Sequence, residues 1–184
     1  ETGNLLFHIA LVLVLVGVAL GALFGWKGTV IIREGNGFAN TLTQYDSFAP
    51  GRLASPDRLP PFAFTMSDFE ATFEREGSQR GAPRSFAATL QYRAEPGAPV
   101  QERVVSVNSP LRVDGAKVFL VGHGYAPHIR VTDSTGRVVF DDTVVFLPQD
   151  GSFTSTGVVK APDGQPQLGL QALFTPTAAL TEER

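Results

Sequence analysis

Hydrophobic and polar positions divide this chain into two stretches with different periods. From Leu5 to Trp26 the run LLFHIALVLVLVGVALGALFGW is apolar at every position except His8. The helix it predicts is apolar all round, as a membrane span is and a surface helix is not. Roughly 20 residues at about 1.5 Å rise cover a ~30 Å hydrocarbon core, and Trp26-Lys27 closes the run as an interfacial anchor does. A cleaved signal peptide has a shorter apolar core behind a basic start. The run is therefore read as a transmembrane helix over 5–26.

Behind it, 27–184 reads as one domain of strands separated by Gly, Pro and Asp. GTVIIREGNG, Gly28 to Gly37, is a β-branched run closed by a glycine-rich turn. Residues 49–61 are too rich in Pro, Ser and Gly for a packed strand and read as a surface loop. PFAFTMSDFEATFE alternates at Phe62, Phe64 and Met66, then at Phe69, Ala71 and Phe73, out of phase by one residue. That slip predicts a β-bulge near Ser67-Asp68. A polar connection over 74–85 leads to FAATLQYRAE, where Phe86, Ala88, Leu90 and Tyr92 share one side, and one dry face beside one wet face is antiparallel patterning.

The segment from Gln101 to Pro148 predicts several more strands, with turns at Val113-Asp114-Gly115, Ser134-Thr135-Gly136 and Asp141-Asp142. A last pair is expected around Gly157 to Lys160 and Gln167 to Phe174. Turn signals about every ten residues, with no helical period between them, predict a membrane-anchored all-β protein. Its architecture is one N-terminal transmembrane helix followed by an antiparallel β-sandwich or barrel-like domain.

Composition removes several functions. Lys and Arg number 15 against 18 Asp and Glu, a net charge of −3, and with no basic block to neutralise phosphates nucleic acid is not an expected partner. The sequence has no cysteine, which excludes disulfides, thiolate metal sites and thiol exchange by this stretch. Phosphate loops, a serine nucleophile elbow and a dinucleotide fingerprint are absent. Asp68/Glu70, Asp133 and Asp141/Asp142 do not assemble a glycosidase pair, so no enzyme activity is read for this stretch on its own.

Two features of the apolar helix carry chemistry. Gly17, Gly21 and Gly25 stand four apart, a stripe that lets another helix approach closely. At 100° per residue His8 lies half a turn from Gly17, so helix packing and imidazole use opposite sides. An imidazole at membrane depth needs a partner. It is either an axial donor, as to haem iron, or a hydrogen-bonding group for headgroups or a neighbouring helix. In GHGYAPH, His123 and His128 are five apart and fall on opposite faces of an unbroken strand. A turn at Ala126-Pro127 would bring them together as a metal or haem pair, but no third ligand completes a zinc-like spacing, and the simpler reading is partly exposed strand ends.

ETGNLLFHIALVLVLVG followed by GWKGTVIIREGNGF, and later VNSPLRVDGAKVFLVGHGYAP, resembles the ResB/Ccs1 family of system II cytochrome c biogenesis proteins. The resemblance extends over essentially the whole chain. It implies a membrane protein that works with a CcsA-type partner to carry haem across the membrane for covalent attachment to apocytochrome c, with a thioredoxin-like reductase as a further candidate partner. It implies a bacterial plasma membrane or thylakoid location, an extracytoplasmic β domain between the third and fourth membrane helices of a longer protein, and a haem-binding role for His8. The alternative is a cofactor-free, membrane-tethered β scaffold for protein–protein interaction.

Overall fold

The computed structural model describes residues 2–77, 81–162, 164 and 166–176. The apolar run forms helix α1, Thr2–Phe24, and none of its residues is buried by protein. It is long and apolar enough to cross a membrane. The helix starts before the expected Leu5 and stops before Trp26, because Trp26 already belongs to strand β1, Trp26–Thr29.

The rest is strand and turn. β1 pairs with β3, Ser47–Pro50, while β2, Gly37–Ala39, opens a four-stranded sheet with β4, Ala63–Phe73, β5, Pro83–Arg93, and β6, Gln101–Ser106. β7, Leu111–Val113, and β8, Ala116–Val118, form a hairpin, as do β9, His128–Thr132, and β10, Val138–Thr143. β11, Leu147–Pro148, β12, Ser155–Ala161, and β13, Leu168–Phe174, make a three-stranded sheet. The sheet-rich antiparallel domain is thus as expected, but it is divided among several small sheets and no closed barrel forms among the described residues.

By contacts the chain forms two compact units, the first comprising Glu1–Asp68, Thr89–Arg103 and Leu111–Val118, and the second Phe69–Ala88, Val104–Pro110 and Phe119–Arg184. The first unit buries Phe38, Phe62, Phe64, Leu90, Leu111 and Val113. Phe38 stands opposite Phe64 across β2 and β4, their rings 5.3 Å apart, and Tyr45 meets Phe38 edge-on at 5.0 Å. Tyr45 also packs closely on Gly28, where a Cβ would fall 2.2 Å from its ring.

Among the described residues this unit buries one side-chain amide, and it is bonded at both ends. Asn40 is 4% exposed; its Nδ2 donates to the Pro60 carbonyl at 2.8 Å, its Oδ1 accepts from the Tyr45 hydroxyl at 2.5 Å, and its backbone N–H donates to the Phe62 carbonyl at 3.0 Å. Burial pushes the Tyr45 phenol up from its usual value, which keeps it a hydrogen donor at neutral pH.

Three local expectations need correction here. GTVIIREGNG does not run as one strand, because the Ile31 N–H is taken by the Asp46 carboxylate at 2.7 Å and the ladder ends at Thr29. The 49–61 segment is not all loop: Ala49 and Pro50 pair with Lys27 and Trp26, and Pro56–Arg58 makes a single 3-10 turn. Asp141 and Asp142 lie inside β10 rather than in a turn. Asp141 stands opposite Arg130 and accepts from its Nε at 2.9 Å and its Nη2 at 2.8 Å, an opposite-charge cross-strand pair.

Other expectations hold. The buried side of β4 passes from Phe64 and Met66 to Phe69, Ala71 and Phe73, with Ser67 and Asp68 both exposed. Phe86, Ala88, Leu90 and Tyr92 share the drier side of β5. Asp114 and Gly115 take φ of 43° and 77°, the left-handed pair of a two-residue hairpin turn. At the Ser134–Gly136 turn the Asp133 carboxylate accepts from the Thr135 hydroxyl and from the Thr135 and Arg137 N–H groups, which hold its pKa down to about 2. In the second unit β12 buries Ser155, Gly157, Val159 and Ala161 in strict alternation. The polar connection over 74–85 includes 78–80, which lie outside the described residues.

Truncating Asn40 tests the first unit. Asn40→Ala strands the Pro60 carbonyl and the Tyr45 hydroxyl, and the expected loss is about 2–3 kcal/mol. It should appear as a lower urea midpoint of the Trp26 fluorescence transition, because Trp26 meets Tyr45 at 6.1 Å; an unchanged midpoint would show that the amide network is not structural.

Candidate functional site

Sequence reading singled out three histidines, and the structure gives each a different environment. On α1, His8 Nδ1 lies 2.7 Å from the Asn4 carbonyl, one turn back. A carbonyl has no hydrogen, so Nδ1 is the donor, and in the neutral ring the lone pair then lies on Nε2. The ring is exposed on the helix surface, with Phe7 edge-on at 5.5 Å. Gly17 and Gly21 have open space where a Cβ would stand. Gly25 lies just past the helix end, its N–H bonded to the Gly21 carbonyl at 2.9 Å.

His123 is the opposite case. It lies outside any strand, and five rings of the second unit surround it: Phe86 at 4.5 Å, Phe153 at 4.7 Å, Phe69 and Tyr125 at 5.8 Å, and Phe73 at 6.0 Å. Its Nε2 is buried with no hydrogen-bond partner, and desolvation lowers its pKa below the ordinary 6.5. Cation–π attraction to the rings would favour the charged form by about 1–2 kcal/mol. Removing a cation from water costs several, so the ring stays neutral.

One wall of this cluster is held in a sparsely populated conformation. Phe153 has φ of +59°, which for a non-glycine residue costs on the order of 1–2 kcal/mol. The Asp150 carboxylate stabilises it by accepting from the Ser152 N–H at 2.9 Å and the Thr154 N–H at 3.0 Å, bonds that lower its pKa, Thr154 contributing most. Sequence reading put Phe69 and Phe73 on one side of one strand and Phe86 on one side of another. It missed Phe153, whose position depends on a backbone angle that no spacing encodes.

His128 is the exposed strand end expected for it. It opens β9, with Nε2 3.1 Å from Asp141 Oδ1. The two histidines of GHGYAPH are thus engaged separately, His123 by rings and His128 by a carboxylate. No group of three or more His, Cys, Asp or Glu able to hold a metal occurs among the described residues. The first unit also has a hollow of about 630 Å³ lined by Leu42, Leu59, Phe62 and Arg93, among others, and by Asn40. The Asn40 amide is engaged at both ends, Nδ2 by the Pro60 carbonyl and Oδ1 by the Tyr45 hydroxyl. Of the three imidazoles, His8 is the one that lies on the apolar helix, with Nδ1 on the Asn4 carbonyl and its ring exposed.

The model of the ResB-like family matches residues 1–184. The chain is 34% identical over 122 residues to the cytochrome c biogenesis protein CcsB of Synechococcus sp. (strain CC9311), covering 65% of this chain and 23% of that protein. It is 26% identical over 160 residues to the cytochrome c biogenesis protein CCS1, chloroplastic, of Arabidopsis thaliana, covering 85% and 28% respectively. The CcsB of Synechococcus sp. (strain RCC307) is 32% identical over 127 residues, covering 68% of this chain and 25% of that protein. The chain spans about a quarter of the length of these curated relatives. No solved structure matches it.

His123 generates a pH dependence of known sign. Its folded pKa lies below 6.5, so between the folded and unfolded values the unfolded chain binds more protons. Its contribution to stability is complete above about pH 6.5 and is lost as pH falls through that value towards the folded one. His123→Phe removes a buried unpaired nitrogen worth about 1–3 kcal/mol. Thermal unfolding followed from about pH 7.5 to 5.5 should show a smaller fall in Tm for the variant than for the parent, and equal slopes would rule out His123 as the source.

Proposed function

This chain belongs to the ResB-like family, and from that premise we propose that it acts in cytochrome c biogenesis as a membrane-anchored, haem-handling stretch of a longer protein. The names of its relatives support the pathway: each of those compared is a cytochrome c biogenesis protein. The observation that carries haem handling to a residue is the tautomer of His8. With Nδ1–H committed to the Asn4 carbonyl, Nε2 points its lone pair away from the backbone on an open helix surface. Orientation of a ligating imidazole by a backbone carbonyl at its other nitrogen is a recurrent way of fixing a metal ligand.

Haem iron takes an axial nitrogen donor, and a neutral imidazole supplies one. The protein's part is to orient the His8 ring through the Asn4 carbonyl, within an apolar run where water does not compete. Gly17 and Gly21, on the opposite side, leave a smooth groove for a neighbouring helix; Gly25, expected in the same stripe, falls past the helix end, where a Cβ would meet the Gly21 carbonyl, and drops out of it. In this reading that neighbour is a CcsA-type membrane protein, the β-rich domain lies outside the cytoplasm towards apocytochrome c, and bond formation belongs to the assembled complex. With no cysteine, this stretch takes no part in thiol exchange with the apocytochrome.

Two variants test this in the intact protein purified with its membrane partner. His8→Ala should lower bound haem about tenfold or more and shift the absorption spectrum, with added imidazole restoring it; unchanged haem content and spectrum would leave only a tethered β scaffold. Gly21→Leu should reduce recovery of the partner helix protein several-fold, because a side chain of that size separates the backbones; full recovery would remove the packing role.

A further inference from the structure

The end of α1 is closed by a segment distant in sequence. The Gly51 N–H donates to the Gly25 carbonyl at 2.7 Å and the Leu53 N–H to the Leu23 carbonyl at 2.8 Å. A Cβ on Gly51 would fall 2.6 Å from the Ala22 and Leu23 carbonyl oxygens and 2.8 Å from that of Gly25. Only glycine admits this approach. The Ala54 N–H returns to the Gly51 carbonyl at 3.0 Å, so Gly51 to Ala54 is a tight turn laid across the last carbonyls of the helix.

That contact fixes the depth of the turn. The 23 residues of α1 span roughly 34 Å at 1.5 Å each, slightly more than a ~30 Å hydrocarbon core. If α1 crosses the bilayer, its final carbonyls stand at the hydrocarbon boundary, and whatever is hydrogen-bonded to them stands there too. The turn presents Leu53, 57% exposed, beside an exposed Arg52. Across the β1–β3 ladder Trp26 is opposite Pro50, and Lys27, also exposed, is opposite Ala49. Trp26 stacks on Phe48 at 6.0 Å. An exposed leucine, an aromatic ring and two cations at one level form the pattern of an interfacial anchor, with apolar groups reaching acyl chains and cations reaching phosphates.

We propose that the Gly51–Leu53 turn is a membrane-contact element: Leu53 enters the acyl boundary, Arg52 and Lys27 pair with lipid phosphates, and the first unit is thereby held against the bilayer at a fixed height. The inference rests on the membrane-spanning reading of α1. It makes the junction after Phe24 a two-point attachment, with the helix as one point and the turn as the other.

The absence of cysteine allows single-site labelling of the whole chain. Leu53→Cys and, separately, Leu13→Cys at mid-helix are labelled with an environment-sensitive fluorophore. Each is reconstituted in vesicles of phosphatidylcholine and phosphatidylglycerol containing lipids brominated near the headgroup or deep in the chain. The expected result is blue-shifted emission at position 53, quenched more by shallow than by deep bromine and several-fold less by aqueous iodide than the free dye, with position 13 quenched most by deep bromine. Iodide-accessible emission at 53 with lipid quenching kept at 13 would overturn the proposal and leave the span intact. Iodide access at 13 would overturn the span itself, and the proposal with it. Adding Gly51→Val should move the position 53 label into water without moving position 13; a label that stays at the boundary would overturn the role given to the Gly51 contact.

Discussion

An α-helix leaves its last carbonyls without partners inside the helix, and where those carbonyls meet a lipid boundary they must find donors in the protein or in headgroups. In this chain that requirement organises the first unit. The donors come from Gly51 and Leu53, so the backbone has to leave the helix, travel outward and return. The antiparallel pairing of β1 with β3 performs the return, with Trp26 opposite Pro50 as its first rung. The same excursion brings Tyr45 down on Gly28 and the Asp46 carboxylate to the Ile31 N–H. Helix closure, the small sheet and the aromatic core around Phe38 are therefore one connected arrangement.

The second unit resolves a different conflict. Its aromatic cluster contains a left-handed Phe153 and an imidazole nitrogen with no partner, each unfavourable by on the order of 1–3 kcal/mol. Ring packing opposes them. Edge and stacked aromatic pairs contribute about 0.5–1.5 kcal/mol each beyond the area they bury, and five rings contact His123. The balance holds while the imidazole is neutral. It weakens when a proton adds a charge that none of those five rings can pair, Tyr125 being the only titratable one and its phenol pushed up by burial.

Local pattern made the helix and most strands legible. An unbroken apolar run of this length predicts a helix, and period-two alternation located β4 and β5, including the phase slip at Ser67-Asp68, while the last pair was expected close to β12 and β13. The errors arose where a side chain outcompeted the ladder or a charge was paired across it. Asp46 ended the strand after Thr29 by taking the Ile31 N–H, and Asp141-Asp142 resembled a turn because Arg130, eleven residues earlier, is not adjacent in sequence. The Phe153 wall and the Gly51 closure were invisible for the same reason. Both depend on backbone geometry brought together over long separations, which carries no period.

The three histidines show why residue type and spacing do not by themselves nominate a ligand. GHGYAPH places two imidazoles close together in sequence, yet one is sealed by rings and the other is bound to a carboxylate. An imidazole serves as a donor only if its lone pair is both present and reachable. Presence follows from where the proton sits, and reach from what surrounds the other nitrogen. At His8 the Nδ1 proton faces the Asn4 carbonyl, and the ring is exposed on the surface of α1. His8, the imidazole that sequence reading favoured, is set apart from the other two by its place on the exposed surface of an apolar helix.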